Sequence, residues 1–136
     1  MKETEITLKD LTGKHFLSGV GFDAVPDPEG YEDANIIDFI IDDKIISAIE
    51  DYNDSYRSCM QKLVVNRSGA DIKNKFNPVE VVGTFREDSN DEINDVIDFT
   101  DTNNGKIILS VGTENTDDYY PLFVSAWIPE NLSVNN

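Results

Sequence analysis

Apolar residues along the chain come in short runs rich in Ile and Val, and polar or turn-forming residues separate these runs. Runs of about four to eight residues with β-branched side chains are typical of strands, whereas an amphipathic helix needs a longer repeat at three and four residues. The pattern therefore predicts these eight strands: His15–Val20, Ile36–Ile41, Lys44–Glu50, Gln61–Val65, Val79–Arg86, Asp95–Thr100, Lys106–Gly112 and Pro121–Ile128.

Helical signals are scarce. Thr7 is a suitable N-cap and Gly13 a suitable terminator for one short helix over residues 7–12. A second helical turn or two is expected within residues 55–62, and residues 1–5 and 129–136 are expected to be loose ends. No linker divides residues 1–136. The predicted fold class is mainly β or α+β, a single compact domain with a twisted antiparallel sheet of hairpins and one or two short helices.

Two hairpin turns are expected between consecutive strands. Asn103-Asn104-Gly105 is the stronger signal, because Asn and Gly tolerate the positive φ angles of a type I′ turn. Asp42-Asp43 is expected to play the same part in the earlier hairpin.

The two predicted hairpins resemble each other. Residues 36–39 read Ile-Ile-Asp-Phe and residues 96–99 read Val-Ile-Asp-Phe, and each is followed after a turn by Lys-Ile-Ile, at residues 44–46 and 106–108. A polar loop with Asn, Asp and Tyr then follows in both cases. One interpretation is a pair of structurally equivalent hairpins with their polar loops at comparable ends of one sheet; the other is chance similarity between Ile-rich hairpins.

Charge is the strongest feature of the composition. The 136 residues include 27 Asp and Glu against 11 Lys and Arg, for a formal net charge of −16. Residues 76–136 alone hold 12 acidic and 2 basic side chains. A chain this acidic is repelled by phosphate backbones, so direct binding of DNA or RNA is not expected. No apolar run is long enough to span a membrane, and no cofactor fingerprint is present.

Familiar catalytic and metal sites do not fit the sequence. A helix-loop-helix calcium site started at Asp88 or Asp51 lacks the required Gly and Glu, and one His with one Cys cannot make a zinc site. Cys59 with His15 as base is the sole nucleophile pair to consider, and a lone Cys beside a strand is more often a small buried residue. We predict no catalytic residue, no metal and no cofactor.

Two polar-aromatic segments are the best candidates for a binding site. In the first interpretation, carboxylates steer a partner and tyrosines anchor it, as tyrosines at interfaces often do; the residues are Glu87, Asp88, Asp91, Glu92, Asp95, Asp117, Asp118, Tyr119 and Tyr120. In the alternative, a guanidinium grips phosphate while a tyrosine stacks on a base; the residues are Asp54, Tyr56, Arg57 and Tyr119. A structural ion pair of Arg57 with Asp54 or Asp118 is the plainer interpretation of that arginine.

Three stretches of the chain resemble a group of small phage- and prophage-encoded proteins that have no assigned activity. They are Leu-Thr-Gly-Lys-His-Phe-Leu-Ser-Gly-Val at 11–20, Ala-Ile-Glu-Asp at 48–51 with Asp-Ser-Tyr-Arg-Ser-Cys-Met at 54–60, and Gly-Thr-Glu-Asn-Thr-Asp-Asp-Tyr-Tyr-Pro at 112–121. The resemblance implies a mobile-element origin and a compact β-rich domain, and it implies no reaction.

Together these features favour a non-enzymatic acidic protein in the host cytoplasm that inhibits a basic host defence or nucleic-acid-binding protein, with DNA mimicry as one means. The alternative is a protein that sequesters a small ligand or nucleotide signal, as a homo-oligomer if the ligand lies across an interface. A third interpretation is a structural component of a virion or its assembly.

Overall fold

The computed structural model describes residues 2–26, 33–54, 57–86, 95–116 and 120–133. They form a single compact domain of mainly β structure, which confirms the predicted fold class. Nine strands build one antiparallel sheet in the order β1-β5-β4-β3-β2-β6-β7-β8-β9. Their bounds are β1 Thr4–Ile6, β2 Gly13–Val25, β3 Ala34–Ile41, β4 Lys44–Asp54, β5 Arg57–Val65, β6 Lys75–Phe85, β7 Asp95–Asp101, β8 Lys106–Thr116 and β9 Tyr120–Trp127.

The sheet consists of two four-stranded meanders that share one pattern of pairing. One meander runs β2-β3-β4-β5 and the other β6-β7-β8-β9, and the first strands of the two pair with each other antiparallel. This arrangement relates the meanders by an approximate two-fold axis between β2 and β6, beside the Leu17–Val79 pair. Asp38 lies opposite Ser47 in the first meander, and Asp98 lies opposite Ser110 in the second.

The register therefore confirms that the two hairpins are equivalent. The pair Ile41–Lys44 corresponds to Asp101–Lys106, and one extra residue in β8 is absorbed by a β-bulge beside Phe99. Because the two-fold axis reverses strand direction, β4 and β8 end at opposite ends of the sheet. The expected placement of the two polar loops at comparable ends of one sheet is therefore wrong.

The sheet curls around its apolar face, which we call the inner face. Phe39 and Phe99, equivalent residues of the two meanders, pack together with ring centroids 6.1 Å apart. β5 lies against β8 and β9 across the curl, and the backbone N–H of Met60 donates to Thr113 Oγ1 at 2.9 Å. Trp127 stacks on Phe76 beside this core at 5.7 Å. Side chains of both meanders thus share one core.

The opposite, outer face of the first meander is also covered, which explains why β3 is buried on both sides. The covering segment, residues 66–74, crosses this face and brings the buried Ile72 against Gly19 and Gly21. A Cβ on Gly19 would lie 2.9 Å from the side chain of Ile40. Gly19 permits a close approach of the covering segment, because a Cβ there would also lie 3.2 Å from Ile72 Cγ2 and 3.3 Å from the Asn74 carbonyl oxygen, whereas a Cβ on Gly21 would make ordinary contact at 3.8 Å. The strand continues through both glycines to Val25, so the predicted end at Val20 was too early.

The helical predictions need two corrections. The first short helix is a 3-10 helix over Leu8–Leu11, with Thr7 and Asp10 forming a capping box. The second is wrong, because the chain from Arg57 onward pairs with β4 as strand β5, and tertiary pairing overrides a weak local preference. A further 3-10 helix covers Pro129–Asn131. No helix among the described residues is long and apolar enough to cross a bilayer.

The expected loose ends are held in place where the structure describes them. β1 pairs with the last residues of β5. Near the other end, Asp101 accepts hydrogen bonds from the backbone N–H and the hydroxyl of Ser133 at 2.8 and 2.5 Å, and Asn131 donates to the Ile107 carbonyl. Burial of the Asp101 carboxylate requires such donors, so the segment up to Ser133 belongs to the fold.

Both predicted turns are present, but the type I′ turn is at Asp42-Asp43 and not at Asn103-Asn104-Gly105, which had the stronger signal. Asp42 and Asp43 have φ angles of 51° and 66° and make the two-residue turn with positive φ at both positions that defines type I′. The other hairpin closes through four residues, Thr102 to Gly105, of which Gly105 alone has a positive φ. Asp101 and Asn104 side chains accept backbone N–H groups there, which stabilises this longer turn.

Candidate functional site

The strands that border the predicted partner-binding segments end at the same edge of the second meander. Phe85 ends β6, Asp95 begins β7, Thr116 ends β8 and Tyr120 begins β9. We call this the distal edge of the second meander. Asp95 is exposed there, and the structure describes the backbone of Tyr120. The remaining predicted contact residues lie outside the described residues: Glu87, Asp88, Asp91, Glu92, Asp117, Asp118 and Tyr119.

The alternative ligand-binding residues belong to the other meander. Asp54 and Arg57 are paired at the tip of the β4–β5 hairpin. Tyr56 and Tyr119 lie outside the described residues, as do the side chains of Asp54 and Arg57. The ion pair proposed for Arg57 and the ligand site therefore both stay predictions.

An arginine at the distal edge binds a carboxylate inside the sheet. Arg86 donates through Nε and Nη2 to both oxygens of Asp98, at 3.2 and 3.0 Å, and through Nη1 to Glu114 at 3.3 Å. Ser110 Oγ donates to Asp98 at 2.6 Å. The hydrogen bond with Asp98 raises the pKa of Arg86, which stays charged. The planar guanidinium matches the carboxylate in a two-point contact.

The first meander carries the matching arrangement. The Arg67 side chain, 12% exposed, donates to Asp38 at 3.0 Å and to Asp23 at 3.3 Å, and its Nε donates to Ser47 at 3.3 Å. Ser47 Oγ also donates to Asp38. Burial lowers the pKa of Arg67, but the hydrogen bonds that it donates to Asp38 and Asp23 outweigh this effect, so the net direction is upward.

The two clusters differ in where the arginine comes from. Asp38 and Asp98 are equivalent, and so are Ser47 and Ser110, but Arg67 arrives on the covering segment while Arg86 follows directly on β6. Arg86 holds the position beside Val96 that Asp23 holds beside Ile36. These arginines neutralise buried carboxylates, a structural role. Sequence reasoning missed both, although an Asp inside each apolar run signals a buried acid that needs a cation.

The second meander has few basic residues, and Arg86 is the one at its distal edge. Residues 76–136 contain two basic residues, Arg86 and Lys106, and Lys106 begins β8 at the opposite edge. The Arg86 guanidinium contacts Asp98 and Glu114. The acidic stretches of sequence at 87–95 and 117–118 contain no Lys or Arg of their own.

The candidate nucleophile is in an unreactive setting. Burial, together with the nearby Asp51 carboxylate, raises the pKa of the Cys59 thiol, so the thiol stays protonated at neutral pH and is a poor nucleophile. The predicted base, His15, already has partners at both ring nitrogens, with Asp42 at 2.7 Å and the Thr12 carbonyl at 3.1 Å. Neither residue is arranged for catalysis in this structure.

An open groove of about 440 Å³ lies on the outer face beside the β3–β4 turn. Phe16, Ser18, Asp42, Asp43 and Pro78 line it. Asp42 is already engaged, because it accepts hydrogen bonds from the Phe16 backbone N–H and from His15. In the part of the chain that the structure describes, no group of three His, Cys, Asp or Glu side chains is arranged to hold a metal ion.

Comparisons of the chain with protein-family models, with curated protein sequences and with solved structures give no match.

Proposed function

We propose that the chain is a non-enzymatic acidic binding protein, of phage or mobile-element origin, that blocks a basic nucleic-acid-binding protein of the host. The observation that carries the proposal is the position of Arg86. It is the basic residue of the second meander at the distal edge, and its guanidinium forms ion pairs with Asp98 and Glu114. The sequence stretches 87–95 and 117–118 contain no Lys or Arg, and a basic partner would supply cations to them.

The physical gain comes from removing repulsion between like charges. Glu87, Asp88, Asp91, Glu92 and Asp95 lie within nine residues of sequence, and such spacing raises the free energy of the unbound protein. A Lys- or Arg-rich surface relieves this repulsion and attracts the chain over a distance, so association is fast and sensitive to salt. Tyr119 and Tyr120, which follow Asp117 and Asp118 in the sequence, are the proposed aromatic anchors.

The test compares two charge-reversed variants with the same change in net charge. The patch variant carries Glu87→Lys, Asp88→Lys, Asp91→Lys and Glu92→Lys. The control variant carries Glu3→Lys, Glu5→Lys, Asp71→Lys and Glu130→Lys, at exposed positions away from the distal edge. Both are used with the wild type as bait in a host extract, followed by mass spectrometry and by binding kinetics with the purified partner.

We expect a basic partner that the wild type and the control variant retain and the patch variant loses. The rate at which the partner associates with the wild type should fall steeply between low and high salt, and it should be at least about tenfold lower for the patch variant. Duplex DNA should compete with the wild-type chain for the partner. Equal capture by both variants would reject the distal edge as the contact, and a partner without a basic surface would reject the proposed function.

A further inference from the structure

The first meander presents an exposed phenylalanine at the position that matches one on the second. Phe22 lies opposite Ile37 on β3, and Phe85 lies opposite Ile97 on β7. Ile37 and Ile97 are equivalent core residues, so the two phenylalanines are equivalent as well. They are 60% and 36% exposed, each near the last residue of its strand. Large exposed apolar side chains at strand ends are suited to contact a partner.

Chance exposure is a weak explanation, because the neighbouring equivalent positions have diverged. Val20 corresponds to Gly83, Gly21 to Thr84, and Asp23 to Arg86. On the same two strands, both equivalent positions hold a phenylalanine, at Phe22 and Phe85, although these exposed side chains fill little of the core. A single exposed apolar residue needs no explanation. An exposed phenylalanine at both of two symmetry-related positions does need one.

The sequence beside each phenylalanine is acidic in the same way. The stretch that joins β2 to β3 carries Asp27, Glu29, Glu32 and Asp33, and the one that joins β6 to β7 carries Glu87, Asp88, Asp91 and Glu92. Residues 24–35 and 87–105 contain no Lys or Arg. Asp33, directly before β3, and Asp95, the first residue of β7, are both exposed.

We infer that the protein has two equivalent contact surfaces and binds a homodimeric basic protein, one chain to each dimer, with Phe22 contacting one subunit and Phe85 the other. The inference rests on the proposed function and adds the symmetry of the partner. The approximate two-fold axis of the chain allows its two equivalent surfaces to face the two identical surfaces of a two-fold symmetric dimer.

The spacing of the two surfaces fits such a partner. Five residues separate Leu17 from Phe22 and six separate Val79 from Phe85. At a strand rise of about 3.3 Å per residue, the two phenylalanines lie no more than about 36 Å apart along the strands. Dimeric DNA-binding proteins contact half-sites about 34–36 Å apart, so the upper limit for the two phenylalanines is of the same order as the separation of the two DNA-binding surfaces in such a dimer.

The experiment uses the partner purified as the protein that the patch variant fails to capture. Light scattering and titration calorimetry give the stoichiometry, which we expect to be one chain per two partner subunits. Phe22→Ala and Phe85→Ala should each weaken binding by at least about tenfold, because either change removes one of two linked contacts. Ile107→Ala, at an exposed apolar residue on β8 far from the distal edge, is the control and should leave affinity unchanged.

The outcomes separate the two proposals. Binding of one chain per subunit, or a loss with Phe85→Ala but none with Phe22→Ala, would overturn the two-surface inference and leave the proposed function standing. If the patch variant still retains the basic partner, the distal edge is not the contact and the two-surface inference fails with it. A captured partner without a basic surface would overturn both proposals. Circular dichroism of the phenylalanine variants confirms that the fold is intact before affinities are compared.

Discussion

Single buried carboxylates are the residues on which this sheet depends most. Asp38 and Asp98 lie in the middle of apolar strands, where an unpaired charge would be very costly. Each is paired with one arginine and one serine from other parts of the chain. The cost of removing the arginine is therefore the cost of leaving a buried charge uncompensated, which exceeds the value of the ion pair itself.

Arg86→Ala should lower the free energy of unfolding by about 3 kcal/mol, because it strands the Asp98 carboxylate. The double variant Arg86→Ala with Asp98→Ala should be at least about 1 kcal/mol more stable than the single one, since no buried charge remains. Lys14→Ala breaks an exposed ion pair with Glu80 and should cost less than about 1 kcal/mol. Urea denaturation measures all three, and equal losses for Arg86→Ala and Lys14→Ala would contradict the argument.

Asp101 gives a pH-dependent contribution to stability. Burial raises the pKa of this carboxyl, but hydrogen bonds from Ser133 and Asn103 lower it more, so it lies below the usual value near 3.8. A carboxyl with a lowered pKa in the folded state stabilises the fold above its unfolded pKa, and the contribution is lost as the pH falls through the folded pKa.

Asp101→Asn should therefore be less stable than the wild type by about 1–2 kcal/mol at pH 6, and the difference should shrink below pH 3.8. Asp71→Asn, at an exposed carboxylate, makes the same change in charge and should show a small difference at both pH values. Urea midpoints at pH 6 and pH 3 give the comparison, and a gap for Asp101→Asn that widens in acid would refute it.

At the scale of elements, two residues of the β3–β4 turn, Asp42 and Asp43, share a backbone conformation but differ in the hydrogen bonds of their side chains. Asp42 and Asp43 share the same backbone requirement, a positive φ that a non-glycine residue adopts at some cost. Asp42 compensates by accepting hydrogen bonds from His15 and the Phe16 backbone. Asp43 is exposed in the turn, and its main effect is its own backbone strain.

The same substitution should consequently have opposite effects at the two positions. Asp43→Gly should raise stability by about 0.5–1 kcal/mol, because glycine at the second position of a type I′ turn removes the strain. Asp42→Gly should lower it by about 1–3 kcal/mol, because Phe16 N–H and His15 lose their acceptor. Thermal denaturation of both variants decides, and a change of equal sign would show that strain alone governs this turn.

Eight of the nine strands were predictable from the sequence, but their lengths were not, and β1 was missed within a stretch expected to be a loose end. The runs around Phe39 and Phe99 have local signals strong enough to place β3 and β7 within two residues. β2 extends to Val25, well beyond the predicted Val20, and Gly19 within it allows the approach of Ile72 from the distant covering segment. From the sequence alone, a glycine within a strand suggests that the strand is weakened or ends there. In this fold, Gly19 instead permits a close contact within a continuous strand.

At the scale of the whole molecule, the net charge of −16 opposes the compact state. Internal ion pairs relieve part of it, since Arg67 and Arg86 each contact two carboxylates. Exposed carboxylates on several elements, such as Glu5, Asp43 and Asp71, still repel one another through solvent. Dissolved salt screens this repulsion between exposed charges and leaves the buried pairs largely unaffected.

Raising NaCl from about 20 mM to 500 mM should therefore increase the melting temperature by several degrees, on the order of 1 kcal/mol of stability. The control variant with Glu3→Lys, Glu5→Lys, Asp71→Lys and Glu130→Lys, whose formal net charge is half that of the wild type, should respond less. Differential scanning calorimetry across the salt series tests this, and a melting temperature that falls with salt would point to stabilising surface ion pairs instead.

By itself the sequence determined the strand-rich class, the repeated hairpins and the acidity of the second half of the chain, because alternation, β-branching and charge act between near neighbours. Only tertiary structure decided which arginine neutralises each buried aspartate, since Arg67 and Asp38 are 29 residues apart and meet through the covering segment. It also related the two meanders by a two-fold axis. That axis follows from the pairing of β2 with β6, a long-range contact for which no short stretch of sequence carries a signal.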